Sequence, residues 1–166
     1  MFPTLYQNPD DEAEVPLSGG NISQPARVGH TVRRRAGPWT PAVHSLLKYL
    51  EATGFEGAPQ ALGIDAQGRD VVTFFDGDVF AYPMPDFVWS EDTLTAVARL
   101  LREYHDIVRG FIPPPDALWR VMVGAPSSGP IICHNDIAPN NTVFRDCVNW
   151  LDDNWHTLRA ALVDGA

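Results

Sequence analysis

Cysteine, long apolar runs and a targeting signal are all scarce or missing in this chain of 166 residues. The two cysteines, Cys133 and Cys147, cannot build the disulfide framework of a small secreted domain, and Cys133 sits in an apolar run that predicts a buried, reduced thiol. No apolar run approaches the roughly 18 residues that span a bilayer. The N-terminal residues lack the basic and apolar regions of a signal peptide, so we expect a cytoplasmic protein with no membrane partner.

Basic residues are also few. Twelve lysines and arginines face 21 aspartates and glutamates, which gives a net charge of −9. The one basic cluster is the run Arg33-Arg34-Arg35, which is too short to outweigh the acidic balance of the chain. This composition argues against a nucleic-acid partner. Hydrophobic residues make up 45% of the chain, as is ordinary for a soluble domain with a core.

The order of the predicted elements indicates an α+β fold with two lobes. Residues 1–14 are polar and acidic and are predicted to form a flexible arm. Residues 15–80 predict a small lobe with an antiparallel sheet and one helix. Residues 81–166 predict a mainly helical lobe that contains a polar loop between residues 132 and 144.

The helix of the small lobe is predicted over residues 40–53, and both of its ends are marked by the sequence. Thr40 is a suitable N-cap, Pro41 suits the first helical position, and Gly54 can close the C-terminus. The predicted apolar face consists of Val43, Leu46, Leu47 and Leu50.

Strands are predicted on both sides of that helix. A hairpin through Gly19 and Gly20 precedes it, and residues 61–64 and 70–75 follow it as a second strand pair joined by the turn at 65–68. Together these segments predict the antiparallel sheet of the small lobe.

A longer helix is predicted from Ser90, which is a good N-cap. Two short strands, "PIICH" and "NTVFR", are predicted on either side of the polar loop. Residues 150–163 predict a closing helix, and the alternative is a short strand that carries Asp152. The predicted buried stripe of the long helix consists of Leu94, Val97, Leu101, Tyr104 and Val108.

The polar loop, "ICHNDIAPNNTVF", carries the most distinctive spacing in the chain. His134, Asp136 and Asn141 follow the pattern H-x-D-x-x-x-x-N, in which a kinase uses the Asp to accept a hydroxyl proton and the Asn to bind a metal ion. The alternative is a simple surface turn, because Asp, Pro and Asn are turn-forming residues.

Two segments of the small lobe could bind phosphates. The loop Ser18-Gly19-Gly20 could direct backbone N–H groups at anionic oxygens, although a Gly-Gly hairpin turn is the commoner explanation. Arg33 or Arg34 on the next strand could supply a positive charge, with a solvated basic edge strand as the alternative.

Taken together, "LSGGNIS", "TVRRRAGPWTPAVHSLLKYLEATGFEGAPQALGID" and "ICHNDIAPNNTVFRD" resemble the aminoglycoside phosphotransferase family over roughly residues 14–146. The resemblance implies a protein-kinase-like fold whose helical lobe is truncated here. It also implies that the chain transfers a phosphoryl group from ATP, with Mg²⁺, to a hydroxyl of a small-molecule substrate.

The resemblance assigns roles to single residues. Asp136 would be the catalytic base, His134 would brace its loop, and Asn141 would bind magnesium, with Asp152 as the candidate for a second metal ligand. The residues implied in nucleotide binding are Ser18, Gly19, Gly20, Arg33 or Arg34, and Phe75 in the hinge segment 71–79.

Two features depart from the family pattern. His44 occupies the helix position where the family places an acid to pair with the strand cation, and the last helices of longer members are missing. Their loss would leave apolar surface uncovered, which predicts self-association. The alternative to an active enzyme is an inactive or nucleotide-binding-only remnant of the same fold.

Overall fold

The computed structural model describes residues 5–6, 13–17, 24–120, 131–133 and 138–144. These residues form a five-stranded antiparallel sheet and two α-helices. In chain order the elements are β1 (Val15–Pro16), β2 (Ala26–Val28), β3 (Thr31–Arg35), α1 (Thr40–Ala52), β4 (Ala61–Ile64), β5 (Arg69–Thr73) and α2 (Glu91–Val108). The strands lie in the order β1-β2-β3-β5-β4. The predicted α+β class and antiparallel sheet are therefore confirmed.

The sheet is made of two hairpins that meet between β3 and β5, with β1 paired to β2 at the outer edge. β2 and β3 turn at Gly29 and His30, a turn that was not predicted from the sequence, whereas β4 and β5 turn at residues 65–68, as predicted. β3 and β5 then pair over five residues, which places Arg34 opposite Asp70. Leu5, within the predicted flexible arm, forms an isolated parallel bridge with Ile64 at the outer edge of β4.

Helix α1 begins at Thr40, the first residue of the predicted range, but Thr40 is not the N-cap that the sequence predicted. Its N-cap is Trp39, and Thr40 is already helical. The Thr40 hydroxyl instead accepts a hydrogen bond from the backbone N–H of Gly37 at 3.0 Å. The shift has little cost, because Pro41 still lies in the first turn, where its missing N–H has no intrahelical partner to lose.

The C-terminus of α1 is closed at Gly54, as predicted. Gly54 has φ +79°, and its N–H donates to the carbonyl of Glu51 while the N–H of Phe55 donates to that of Leu50. These two bonds form a Schellman motif, and Phe55 and Leu50 belong to the same apolar cluster. The motif therefore ends the helix and returns the chain to the core in one step.

The main core lies between the sheet, α1 and the C-terminal end of α2. Val43 is only half-buried, whereas the other predicted apolar residues of α1 are buried. The buried members of this cluster are Leu46, Leu47, Leu50, Phe55, Ala61, Val72 and Val108.

Helix α2 begins as predicted but packs less closely than predicted. The Ser90 side chain accepts a hydrogen bond from the backbone N–H of Thr93, and Val108 is buried. Leu94, however, is 52% exposed, so the predicted buried stripe of α2 is not fully buried at its N-terminal end. No helix in the described part of the chain is both long and apolar enough to cross a membrane.

The two strands predicted around the polar loop are not present in the described residues. Residues 131–133 have no regular structure and are held by the Tyr104 hydroxyl, which donates to the carbonyl of Ile132 at 2.8 Å. Burial, and to a smaller extent the nearby Cys133, raises the pKa of Tyr104 to about 12. Cys133 itself is exposed, so its predicted burial was wrong.

At the C-terminal end of the loop, Phe144 forms an isolated antiparallel bridge with Asp78. Phe144 is buried against Met84 and Val88, with Phe80 packed beside them. These apolar contacts fix residues 138–144 without a continuous strand.

Truncating Leu47 should test the packing of α1. Because Leu47 is buried in the main core, we expect Leu47→Ala to lower the free energy of unfolding by roughly 2–5 kcal/mol, measured by urea denaturation. The matched control is Lys48→Ala, because Lys48 is the next residue of the helix and its side chain is exposed. Equal, small effects of the two substitutions would contradict the packing of α1 on the sheet.

Candidate functional site

Asp70 on β5 receives two charge-assisted hydrogen bonds from different elements. Its Oδ2 accepts from Nε of Arg34 on β3 at 2.7 Å. Its Oδ1 lies 2.6 Å from Nε2 of His44 on α1. An ionised carboxylate can only accept hydrogen bonds, so the proton of this contact lies on the histidine nitrogen. Asp70 thus joins the sheet to the helix.

The pairing determines the charge of Asp70. Burial raises the pKa of the carboxyl, but the hydrogen bond from His44 and the charge and hydrogen bond of Arg34 outweigh it, so the pKa is lowered. Asp70 is therefore ionised at neutral pH in spite of being buried. Its hydrogen-bonding capacity is directed at the two partners that hold it.

Arg33 and Arg34 lie on opposite faces of the sheet, because neighbouring residues of a strand alternate. Arg33 is buried, with Nη1 3.9 Å from Oδ2 of Asp65 and its guanidinium 4.7 Å from the centre of the Tyr6 ring. Arg34 is about one third exposed. The two arginines proposed for one phosphate site thus lie on different sides of β3, and each is close to an acid.

Asp65 organises the turn between β4 and β5 on the Arg33 side. Its Oδ1 accepts from the backbone N–H groups of Gln67 and Arg69, and its Oδ2 accepts from Nε of Arg69. Burial raises the pKa of Asp65, but these hydrogen bonds and the charge of Arg69 lower it by more. Nη1 of Arg69 also donates to both carboxylate oxygens of Glu14, at 2.8 and 2.9 Å.

The predicted hinge and the C-terminal end of the polar loop lie side by side. Asp78 and Phe144 exchange two backbone hydrogen bonds, at 2.8 and 2.9 Å. Gly77 has φ +148°, and a Cβ atom there would lie 2.6 Å from the Phe144 carbonyl oxygen, so a side chain would disrupt this contact. The structure therefore brings the segment of Phe75 close to the segment of Asn141.

Asn141 is exposed at the end of a 3-10 helix, Pro139–Asn141, and its backbone N–H donates to the carbonyl of Ala138 at 2.8 Å. Phe75 is half-buried. Among the residues that the structure describes, no group of three or more His, Cys, Asp or Glu side chains could hold a metal ion. The predicted site residues that lie outside the described residues are Ser18, Gly19, Gly20, His134, Asp136 and Asp152.

Sequence reasoning missed Asp70 as the partner of the strand cation. The family pattern predicts an acid on α1. In the structure the acid is Asp70 on β5, next to β3, and α1 supplies His44. A signal was present, because Asp70 directly precedes two apolar residues in a predicted strand, and a buried carboxylate needs a partner.

The chain is similar to the trifolitoxin immunity protein of Rhizobium leguminosarum bv. trifolii, with 38% identity over 136 residues. The matched region covers 80% of this chain and 51% of that protein, so the chain spans about half the length of the curated relative that it matches. No family model matches the chain, and no solved structure matches it.

The predicted aminoglycoside phosphotransferase membership and ATP-dependent phosphotransferase function were wrong, because the relative is named for immunity to a toxin and no family model matches. The alternative, an inactive or nucleotide-binding-only remnant, has no support either. The physical reason lies in the motif: residues spaced as H-x-D-x-x-x-x-N also suit an ordinary turn, and residues 139–141 do form one. ATP, Mg²⁺ and a small-molecule substrate were implied by the resemblance alone and stay untested predictions.

Replacing Asp70 with Asn should destabilise the fold at neutral pH. Removing the carboxylate leaves the charged Arg34 without its counter-charge, and we expect a loss of roughly 3 kcal/mol in the free energy of unfolding. This value is at the low end for a buried pair, because Arg34 is one third exposed. The control is Asp106→Asn, because Asp106 and Arg109 form an exposed pair at 3.7 Å that should contribute little.

The same substitution should change the pH dependence of stability. The pKa of Asp70 is lowered in the folded protein, so its contribution is complete above its usual pKa of 3.8 and is lost as the pH falls below that value. Urea denaturation between pH 7 and pH 3 should therefore give a shallower acid loss in Asp70→Asn than in the parent. Parallel curves for the two proteins would contradict the assignment.

Proposed function

We propose that this chain acts in immunity to trifolitoxin or to a related toxin. The observation that carries the proposal is the 38% identity to a trifolitoxin immunity protein over 136 residues, which extends across 80% of the chain. A match of this length includes most of the described sheet and helices rather than one short motif.

We propose further that protection works by binding the toxin rather than by altering it. Catalytic acids and bases are usually recognised by pKa values shifted toward neutrality and by free hydrogen-bonding capacity. The two buried acids of the described residues, Asp65 in the β4–β5 turn and Asp70 on β5, have lowered pKa values and are held by arginine or histidine. These features suit a rigid scaffold that presents a surface.

The proposal is tested by protection of a trifolitoxin-sensitive bacterium. Cells that express the chain should grow at toxin concentrations that stop cells carrying the same gene with an early stop codon. The full-length relative is the positive control, since this chain spans about half of its length. Soluble expression without protection, beside a protective relative, would contradict the immunity function.

Mixing purified chain with toxin separates binding from alteration. If protection works by binding, the toxin should elute with the protein on a sizing column and return after denaturation with its mass unchanged. Recovery of a toxin of altered mass would contradict binding as the mechanism while leaving the immunity function intact.

A further inference from the structure

The segment that links the sheet to α2 exposes large apolar side chains that the main core does not use. Tyr82 is 71% exposed, Val79 52%, Trp89 50% and Phe87 38%. These residues are close together along the chain. In soluble proteins, a cluster of large apolar side chains that stay exposed to water often marks an interaction surface. Aromatic side chains in particular provide much contact area for little loss of conformational freedom.

These side chains stand on a fixed base rather than on a free loop. Phe87 packs against Phe80 and Phe144, with ring centres 5.5 and 5.9 Å away. Beneath them Met84 and Val88 are buried in the second apolar cluster. The two backbone hydrogen bonds between Asp78 and Phe144 close the other end. The base of this surface, including Phe87, is therefore formed before any partner arrives, which reduces the entropy cost of binding.

The same segment is uniformly acidic. Residues 71–98 contain no Lys, Arg or His, and Asp78, Asp86, Glu91 and Asp92 are all exposed. Asp76 is not counted with them, since Arg27 lies 3.7 Å away. Glu91 and Asp92 also complement the dipole of α2, so those two have a structural role as well. Exposed aromatic groups together with unbalanced negative charge favour a partner that carries both apolar groups and positive charge.

We infer that residues 78–92, here named the acidic aromatic strip, form a docking surface for a cationic, amphipathic peptide segment. The apolar side chains of such a peptide would cover Tyr82, Phe87 and Trp89, and its lysines or arginines would face the carboxylates. Cationic groups also interact favourably with aromatic faces, so the two features of the strip act together. This inference holds whether or not the chain acts in immunity, and it assigns the strip a chemical class of partner.

Three synthetic peptides test the inference on the full chain. The first is a helical peptide of lysine and leucine with one charged and one apolar face. The second has glutamate in place of lysine, and the third has serine in place of leucine. The first should bind in isothermal titration calorimetry at low salt, more weakly as salt rises, and the other two should bind at least about tenfold more weakly. Equal binding of all three would overturn the inference.

Matched triple variants locate the binding site. Asp86→Asn, Glu91→Gln and Asp92→Asn together should weaken binding of the first peptide about tenfold, as expected for three exposed charge pairs. The control combines Glu51→Gln, Glu56→Gln and Asp106→Asn, which removes the same charge from exposed positions elsewhere. It should change affinity less than about twofold. Equal weakening by both triples would show attraction by net charge alone and overturn the inference.

A second copy of the chain is the competing occupant of the strip. If sedimentation shows a dimer that the strip triple variant dissociates, while the lysine–leucine peptide does not bind, the strip is a self-association surface and the inference is overturned. A monomer that binds the peptide supports it. Circular dichroism of both triple variants should match the parent, because all six substituted side chains are exposed. The strip triple variant should unfold at a slightly lower temperature, because it removes the two acids that complement the dipole of α2.

Discussion

The carboxylate of Asp70 holds together parts of the chain that are far apart in sequence. It contacts Arg34 on the neighbouring strand and His44 on α1, and it does so inside the protein, where an unpaired charge would be costly. β3, β5 and α1 are therefore constrained in their relative positions by one group. The apolar cluster around Leu50 and Val72 then packs around this fixed arrangement. Hydrophobic burial supplies most of the stabilisation, and the ion pairs determine which arrangement of strands and helix is compatible with it.

Local signals predicted local structure well. Gly54 ends α1, Ser90 begins α2 and the turn at 65–68 joins β4 to β5, because each depends on a few consecutive residues. The pairing of Asp70 with Arg34 could not be predicted the same way, since it depends on strand register across 36 residues. Leu94 shows the opposite error: it fits the apolar period of α2, but about half of it stays exposed. Periodicity gives the face of a helix and does not say how much of that face is packed.

The predicted α+β class was correct, but the predicted phosphotransferase function was wrong because it depended strongly on one short motif. The spacing of His134, Asp136 and Asn141 suits a phosphoryl-transfer loop and suits a turn equally, and only Asn141 of the three lies within the described residues. Similarity over 136 residues to a trifolitoxin immunity protein is the broader observation. The acidic aromatic strip is held by the contacts among Phe80, Phe87 and Phe144. None of those contacts could be read from the motif.

A double-mutant cycle between His44 and Asp70 tests the junction of helix and sheet most directly. His44→Ala, Asp70→Ala and the double variant are compared with the parent by urea denaturation at pH 7, beside the same cycle on the exposed Asp106–Arg109 pair. We predict a coupling energy of at least about 1 kcal/mol for the buried pair and close to zero for the exposed one. Effects at His44 and Asp70 that add to within about 0.5 kcal/mol would contradict the claim that Asp70 joins α1 to the sheet.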